Sequence, residues 1–163
     1  MPEMHSQAHI RPQTLRSQAW RQELRRYPLL RDVQTRERDV GPTNLISDMA
    51  VLGYYAELNA SLRDGWCQSL LTPFGEEDFA SLQVQDVRTE FICQVRYPGA
   101  LTVAGRVISV DSGGYQLAAA IFQDDRCTSL HQSAVSCFRN GRWTELPPSL
   151  LECIRRELPE DGL

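Results

Sequence analysis

Lysine is absent from this chain of 163 residues, and all 17 of its basic residues are arginine. We attribute this to the base composition of the genome. Acidic residues outnumber the arginines, and the formal net charge is −4. A nucleic-acid-binding surface needs an excess of basic residues on one face, which this composition does not favour. We therefore expect no nucleic-acid partner.

Long apolar runs and paired cysteines are also missing. No run of about 18 apolar residues occurs, and no cationic segment followed by an apolar one opens the chain. The five cysteines include no CxxC pair, and no set of His and Cys has the spacing of metal ligands. These absences predict a cytoplasmic protein with free thiols, no membrane span, and no metal or redox cofactor.

The length and composition predict one folded domain. Hydrophobic residues make up 42% of the chain and charged residues 23%, which is typical of globular proteins. The first residues are polar, have no periodicity and include two prolines. We therefore expect a disordered leader over residues 1–13 and a single domain over residues 14–160.

A long helix is predicted between Ser47 and Arg63. Ser47 and Asp48 suit its start, because side-chain oxygens there accept hydrogen bonds from free backbone N–H groups and negative charge favours the helix dipole. Apolar side chains on two sides of this segment predict a buried helix. One stripe is Val51, Tyr55, Leu58 and Leu62, and the other, mostly small, is Met49, Gly53, Ala56 and Ala60. Shorter helices are predicted over residues 14–27 and 149–158.

The remaining segments have the pattern of strands and turns. Strands are predicted over residues 30–38, 87–97, 101–110, 115–122 and 127–139. Turns are predicted at Pro98-Gly99, Asp111 to Gly114, and Asn140-Gly141. The order is a strand, a long helix and then an antiparallel meander. It predicts an α+β fold in which an antiparallel sheet wraps around one long central helix, with extra helices at both ends.

The segment from Arg36 to Glu57 resembles the hotdog-fold thioesterase superfamily related to 4-hydroxybenzoyl-CoA thioesterase. Those proteins have the approximate pattern R-x-x-D-x-D-x-x-G-H-V-N-N before a helix rich in Tyr and Phe. Here the corresponding segments are RERDVGPTNLISD and MAVLGYYAE. The turn near Asp111 and the start of the last helix at Leu146-Pro147-Pro148 are also similar. The resemblance covers residues 30 to 157 and implies a hotdog fold, a dimer or a dimer of dimers, and hydrolysis of acyl-CoA or acyl-carrier-protein thioesters.

The catalytic loop departs from the family pattern. In an ungapped alignment the first Asp of the pattern falls on Asp39, but the second, the usual nucleophile or general base, falls on Gly41. The family's His falls on Leu45. The resemblance leaves the backbone N–H groups of Asp48 and Met49, at the helix start, as an oxyanion hole, because the helix dipole favours negative charge there.

Four residues are candidates for the missing catalytic group. Asp39, Asp48 and Glu57 could each act as a general base, and Asn44 could act together with a bound water. A hotdog subgroup that serves enediyne polyketide synthesis resembles this arrangement in using a loop Asn. Each carboxylate also has a structural interpretation. Asp39 could be a partner of the loop backbone, Asp48 a helix-terminus charge, and Glu57 a dimer contact or a solvent-facing residue.

Thr43, Tyr54 and Thr89 are the candidate substrate-binding residues. Thr43 could position an acyl carbonyl, Tyr54 could contact an aromatic or long acyl group, and Thr89 lies on the strand expected to line the pocket of a partner subunit. Two alternatives to hydrolysis stay open. One is acyl-thioester binding without turnover. The other is another thioester-handling step in polyketide or fatty-acid metabolism, such as dehydration. The segment Asn44-Leu45-Ile46-Ser47 resembles the N-P-I-H part of a hotdog hydratase pattern, but Ser47 replaces its His.

Overall fold

The computed structural model describes residues 13–68 and 80–160 of the chain. The expected leader over residues 1–13 lies, apart from Gln13, outside the described residues. Residues 69–79 also lie outside the described residues. The division into a leader and one domain stays a prediction.

A curled antiparallel sheet and one long helix make up most of the described structure. The strands are β1 (Leu29–Gln34), β2 (Ala80–Phe91), β3 (Ala100–Val110), β4 (Gly114–Gln123), β5 (Arg126–Arg139) and β6 (Arg142–Trp143). Their order in the sheet is β1-β3-β4-β5-β2, and β6 pairs with the end of β5. The helices are α1 (Asp48–Gln68) and α2 (Pro148–Arg155). The predicted α+β arrangement with helices before and after the sheet is confirmed, except at the amino-terminal end.

The long helix starts where its cap residue predicts. The Ser47 hydroxyl accepts a hydrogen bond from the Ala50 N–H at 3.2 Å, which caps the first turn. The helix ends at Gln68, later than the predicted end at Arg63. One side of it packs on the sheet and buries Val51, Tyr54, Tyr55, Leu58, Asn59 and Trp66. The stripe of small residues faces outward, and Met49 is 75% exposed. Burial on more than one side is therefore wrong within one chain, because a single sheet covers only one side.

The main core lies between α1 and the concave face of the sheet. Inward residues of β3, β4 and β5 meet the helix there, among them Val103, Val107, Leu117, Ile121 and Val135. Gly105 allows the close approach of the helix, because a Cβ at this position would lie only 3.2 Å from Cδ2 of Leu58.

The amino-terminal segment does not form the predicted helix over residues 14–27. It forms three short 3-10 turns, at Leu15–Ser17, Ala19–Gln22 and Leu24–Arg26. The extended conformations of Gln18 and Glu23 separate these turns. This irregular path lets apolar side chains reach the convex face of the sheet at spacings that one straight helix cannot provide. Residues 13–27, which we call the N-terminal strap, thus complete a second core with Ala104, Ala118, Ala120, Phe122 and Leu130.

β2 is displaced from its predicted range and pairs with a different neighbour. It runs from Ala80 to Phe91 rather than over residues 87–97, and it pairs with β5 at the far edge of the sheet. The predicted meander is confirmed for β3, β4 and β5 but is wrong for β2. The hairpin at Pro98-Gly99 is also wrong, because β2 and β3 are not neighbours. Residues 92–99, which we call the crossing segment, connect the two strands. The reason is long-range: β2 pairs with β5 along its length, whereas a local turn signal carries no information about that partner.

The terminal helix follows its prediction closely. α2 begins after Pro147, ends at Arg155, and buries Leu150 and Ile154. The residues predicted for it were 149–158, so it ends three residues early.

Two expected absences concern the described part of the chain. Over residues 13–68 and 80–160, no helix is long and apolar enough to cross a membrane. The four cysteines whose side chains are described, Cys93, Cys127, Cys137 and Cys153, are free thiols.

Candidate active site

A cavity of about 280 Å³ lies between the start of α1 and the crossing segment. Its lining consists of Ile46, Asp48, Val51, Phe91, Ile92, Cys93, Gln94 and Val95. The Ile46 N–H donates a hydrogen bond to the Val95 carbonyl at 2.9 Å, and a backbone bridge joins Leu45 to Arg96. These contacts hold the crossing segment against the loop that leads into α1. We call this space the helix-start cavity.

Unpaired backbone donors stand beside this cavity. Ser47 accepts the N–H groups of Ala50 and Val51 with its hydroxyl and its carbonyl. The N–H groups of Asp48 and Met49 have no acceptor among the described residues. The first N–H groups of a helix carry partial positive charge and bind anions readily. The geometry therefore leaves both predicted oxyanion donors available, with Asp48 on the cavity wall.

Three of the predicted site residues meet around Arg36. Its Nε donates to Oδ2 of Asp39 at 2.8 Å, and its Nη2 donates to Oε1 of Glu57 at 2.9 Å. The Tyr54 hydroxyl donates to the same Oδ2 of Asp39 at 2.9 Å. Arg36 itself was not among the predicted site residues. The signal was the Arg-x-x-Asp spacing, which lets Arg36 reach Asp39 across one 3-10 turn.

This cluster keeps Asp39 ionised and hydrogen-bonded to Arg36 and Tyr54. Burial by itself would raise the pKa of Asp39, but the hydrogen bonds from Arg36 and Tyr54 outweigh it and lower that pKa. Burial and the bond to Asp39 raise the pKa of Tyr54 to about 12. A general base works best with a pKa near the operating pH. Asp39 and Tyr54 are therefore suited to holding the loop on the helix rather than to moving protons.

Asp48 is differently placed from the other two candidate carboxylates. It is exposed, and within the described residues it is the only carboxylate that lines the helix-start cavity. Its side chain has no hydrogen-bond or ion-pair partner in the part of the chain that the structure describes. Glu57 lies two turns further along α1, with its carboxylate on Arg36.

The loop residues Thr43 and Asn44 are exposed and do not line the cavity. Asn44 has a φ of 61°, in the left-handed region that Asn tolerates better than most residues. The Gly41 N–H donates to the Leu45 carbonyl at 2.7 Å and closes the loop around it. The backbone thus gives one reason for an Asn here, whereas its amide makes no hydrogen bond to any described residue.

Thr89 lies beneath α1 rather than at the helix-start cavity. Its hydroxyl is 2.8 Å from Nδ1 of His131. The His131 ring stacks on Tyr55, with ring centres 4.4 Å apart and an interplanar angle of 12°. The Tyr55 hydroxyl in turn bonds to Ser129 at 2.7 Å. Thr89 therefore belongs to a buried polar row between the helix and β5 in this chain, and its role toward a partner subunit's pocket stays a prediction.

The cavity wall contributed by residues 91–95 was not predicted as part of this chain's own site. The sequence pattern predicted a strand over residues 87–97 that lines the pocket of a partner subunit, and residues 91–95 are more than forty positions from the helix start in sequence. Cys93 is among them, and its thiol points to the Cys127 carbonyl at 3.7 Å. No local motif in the sequence indicates this contact.

Solved structures share this fold, although no protein-family model and no curated protein sequence matches the chain. A predicted thioesterase from Bacillus stearothermophilus superposes with a TM-score of 0.71 at 12% identity, over 82% of this chain and 98% of that one. A hypothetical protein from Staphylococcus aureus in complex with CoA gives a TM-score of 0.72 at 13% identity, over 82% and 87%.

A thioesterase from Thermus thermophilus complexed with coenzyme A and zinc gives a TM-score of 0.65 at 17% identity, over 79% of this chain and 98% of the other. At such identities the likeness establishes the fold, and the chemistry has to be argued from the site. The resemblance seen in the sequence is thereby confirmed at the level of the fold. This chain has the hotdog fold found in structures of the thioesterase superfamily.

Proposed function

We propose that this protein hydrolyses acyl thioesters of CoA or of an acyl carrier protein at the helix-start cavity. The observation that carries the proposal is the pair of unbonded N–H groups at the start of α1, those of Asp48 and Met49, of which Asp48 lines a partly apolar cavity. Donors fixed in this way stabilise the negative charge that develops on a carbonyl oxygen during acyl transfer. Two of the structures with this fold contain CoA, which supports the substrate class.

The chemistry requires one general base. The Asp48 carboxylate removes a proton from water as the water oxygen forms a bond to the thioester carbon, and the carbonyl oxygen becomes an oxyanion on the helix start. The intermediate then collapses, the C–S bond breaks, and the departing sulfur takes the proton back from Asp48. The products are a carboxylic acid and a thiol. We choose Asp48 among the four candidates because Arg36 holds Asp39 and Glu57, while Asn44 does not line the cavity.

The wall of the cavity suits an acyl chain. Ile46, Val51, Phe91, Ile92 and Val95 supply apolar surface, and sites for small molecules commonly combine such surface with a few polar groups. The free thiols of the described cysteines are in keeping with a reducing, cytoplasmic compartment. No resident cofactor takes part in this scheme.

The proposed assembly is a homodimer that pairs along β2. This strand lies at one edge of the described sheet, and its concave side exposes Val84 (40%), Val87 (56%) and Phe91 (41%). Unpaired edge strands with apolar side chains readily pair with another chain. Because Phe91 also lines the helix-start cavity, a second copy placed there would contribute to the site. A dimer of dimers would add contacts elsewhere.

Binding without turnover is the second candidate function. Gly41 stands where the family pattern has its second Asp, and Arg36 occupies both Asp39 and Glu57. If Asp48 does not act as a base, the same cavity and N–H groups would still hold a thioester carbonyl. A dehydration role is less favoured, because the loop has Ser47 where the hydratase pattern has a His.

The test is hydrolysis of short, long and aromatic acyl-CoAs and of acyl carrier protein, followed by release of free thiol. We expect Asp48→Asn to lower turnover about 100-fold or more, as loss of a general base does. Glu152→Gln, which alters an exposed carboxylate on α2, serves as the matched control and is expected to leave turnover unchanged. Full activity of Asp48→Asn would exclude Asp48 as the base.

A complete absence of cleavage by pure wild-type protein, across both kinds of carrier, would exclude hydrolysis. Binding of an acyl-CoA thioether, which cannot be hydrolysed, would then distinguish the acyl-binding role from no thioester role at all. Binding without cleavage would support the second candidate function.

A further inference from the structure

A second cavity, of about 240 Å³, lies between the N-terminal strap and the convex face of the sheet. It is on the opposite side of the sheet from α1 and its packed side chains. Its polar lining includes Gln18, Arg21, Asp86, Arg88, Gln116 and Gln132. We call it the strap cavity, and the proposed hydrolysis uses none of its residues.

Arg21 is the unusual group in this cavity, because it is charged and only 3% exposed. Its Nε donates to Oε1 of Gln18 and its Nη2 donates to Oε1 of Gln132, both at 2.5 Å. Its remaining terminal nitrogen, Nη1, is buried and has no hydrogen-bond partner among the described residues. No carboxylate oxygen of a described residue lies within 4.0 Å of a guanidinium nitrogen of Arg21, so Arg21 forms no salt bridge in the described part of the chain. The side-chain hydrogen bonds of the guanidinium are therefore to neutral amides alone.

A buried guanidinium without an anion is destabilising, and such groups are rare in proteins unless they are paired. The Trp20 ring, whose centre is 4.9 Å from Cζ of Arg21, offsets part of this cost. Burial also lowers the pKa of Arg21. The nearby Glu90 is engaged elsewhere, since it accepts the N–H groups of Leu15 and Arg16 at 2.7 and 3.0 Å. The positive charge of Arg21 is thus available to an external anion.

We propose that the strap cavity binds a small polar carboxylate, with its carboxylate group on Arg21 and its hydroxyl or amide groups on the surrounding glutamines. The planar fork of a guanidinium matches a carboxylate. Arg88 is paired with Glu90 at 3.2 Å, and Glu90 also binds Arg16. Three arginines (Arg16, Arg21 and Arg88) against two carboxylates (Asp86 and Glu90) leave one net positive charge around the cavity, which one carboxylate balances. Glutamine side chains both donate and accept, so they suit hydroxyl and amide groups. The volume is smaller than that of typical sites for drug-sized ligands, which favours a compact molecule.

The first experiment titrates the full chain with glycerate, by calorimetry and by thermal unfolding at constant ionic strength. Glycerol is the neutral control with the same carbon skeleton, and phosphate is the other oxyanion. We expect glycerate to bind and to raise Tm in a concentration-dependent way, and glycerol to do neither. Arg21→Met is expected to weaken glycerate binding at least tenfold. Arg25→Gln, which alters an exposed arginine of the same strap, is expected to leave it unchanged.

A second variant tests the charge without removing Arg21. Gln132→Glu places a carboxylate at the position that already accepts a hydrogen bond from Arg21 Nη2. We expect this internal anion to raise the Tm of the free protein and to weaken glycerate binding at least tenfold. A purely structural Gln132 would give a lower Tm instead, with glycerate binding unaltered.

Two outcomes would overturn the proposal. If neither glycerate nor phosphate shifts Tm beyond the effect of chloride, the cavity has no anion site. If phosphate binds and glycerate does not, the assignment of a carboxylate is wrong. Because no readout depends on thioester turnover, failure of this proposal and failure of the proposed hydrolysis are distinguishable.

Discussion

Nη2 of Arg36 donates a hydrogen bond to Oε1 of Glu57 at 2.9 Å, which joins the loop before α1 to the middle of that helix. The same guanidinium binds Asp39 through Nε. Two of the four predicted catalytic residues therefore share one cation, and the helix-start cavity keeps Asp48 as its only described carboxylate. The expected effects of substitution follow from this division between a structural cluster and the cavity.

Glu57→Gln is expected to change turnover by less than about threefold, against the 10²–10⁴-fold that a general base contributes. Glutamine keeps an oxygen that can accept from Arg36, and the ion pair it replaces is about one-third exposed on both sides. Such pairs contribute about 0–1 kcal/mol to stability. Steady-state hydrolysis of the best acyl-CoA, beside Asp48→Asn, measures the effect. A 100-fold loss in a normally folded Glu57→Gln protein would make Glu57 the base.

Asp39→Asn is expected to lower the free energy of unfolding by about 1–3 kcal/mol, because Arg36 and Tyr54 lose a charged acceptor in a largely buried place. Tyr54→Phe removes one hydrogen bond and keeps the ring, so a loss of about 1 kcal/mol is expected. Denaturant unfolding with an unchanged m-value measures both. Equal stability of Asp39→Asn and wild type would show that the cluster does not hold the loop.

The contribution of Asp39 should also depend on pH. Its pKa is lower in the folded protein than in the unfolded chain, where it is about 3.9. The stabilisation is therefore present above the unfolded value and is lost as pH falls through the folded one. We expect the stability difference between wild type and Asp39→Asn to be largest above about pH 5 and to shrink below about pH 3. A difference that stays constant from neutral to acid pH would contradict this.

His131 should make the protein less stable in mild acid. Burial lowers its pKa to about 4, whereas the unfolded value is about 6.5. Between these values the unfolded chain binds a proton that the folded protein does not, so stability rises with pH by up to about 1.4 kcal/mol per unit. His131→Gln is expected to flatten this part of the curve of unfolding free energy against pH. An unchanged slope would assign the acid sensitivity to other groups.

Val87→Lys is expected to convert a dimer into a monomer. Val87 is 56% exposed on the edge strand β2, and a lysine there would place a charge in the proposed interface. Leu30→Lys is the matched control, because Leu30 is 57% exposed on β1 at the opposite edge of the sheet. Sedimentation of wild type, Val87→Lys and Leu30→Lys tests this. A monomeric wild type, or a Val87→Lys protein that remains dimeric, would exclude pairing along β2.

Local signals predicted the elements that local interactions form. The cap at Ser47 and the apolar spacing after it located α1, and the turn residues around Gly113 and Asn140 located the ends of β4 and β5. The same kind of pattern wrongly predicted a helix for the N-terminal strap, because the apolar residues there are spaced to cover the convex face of a sheet rather than one side of a helix. Arg36 became part of the candidate site only when α1 brought Glu57 to it.

The sequence by itself determined the helix start and its free N–H groups at Asp48 and Met49, because capping depends on residues within one turn. It also determined the type of fold, through the order of its apolar patterns. Only the tertiary structure decided which residues face that helix start. β2 pairs with β5 across the sheet, and this pairing sends residues 91–95 past Ile46 to form the wall of the cavity. Backbone hydrogen bonds between distant segments determine which residues form this wall, and no local sequence pattern predicts those bonds.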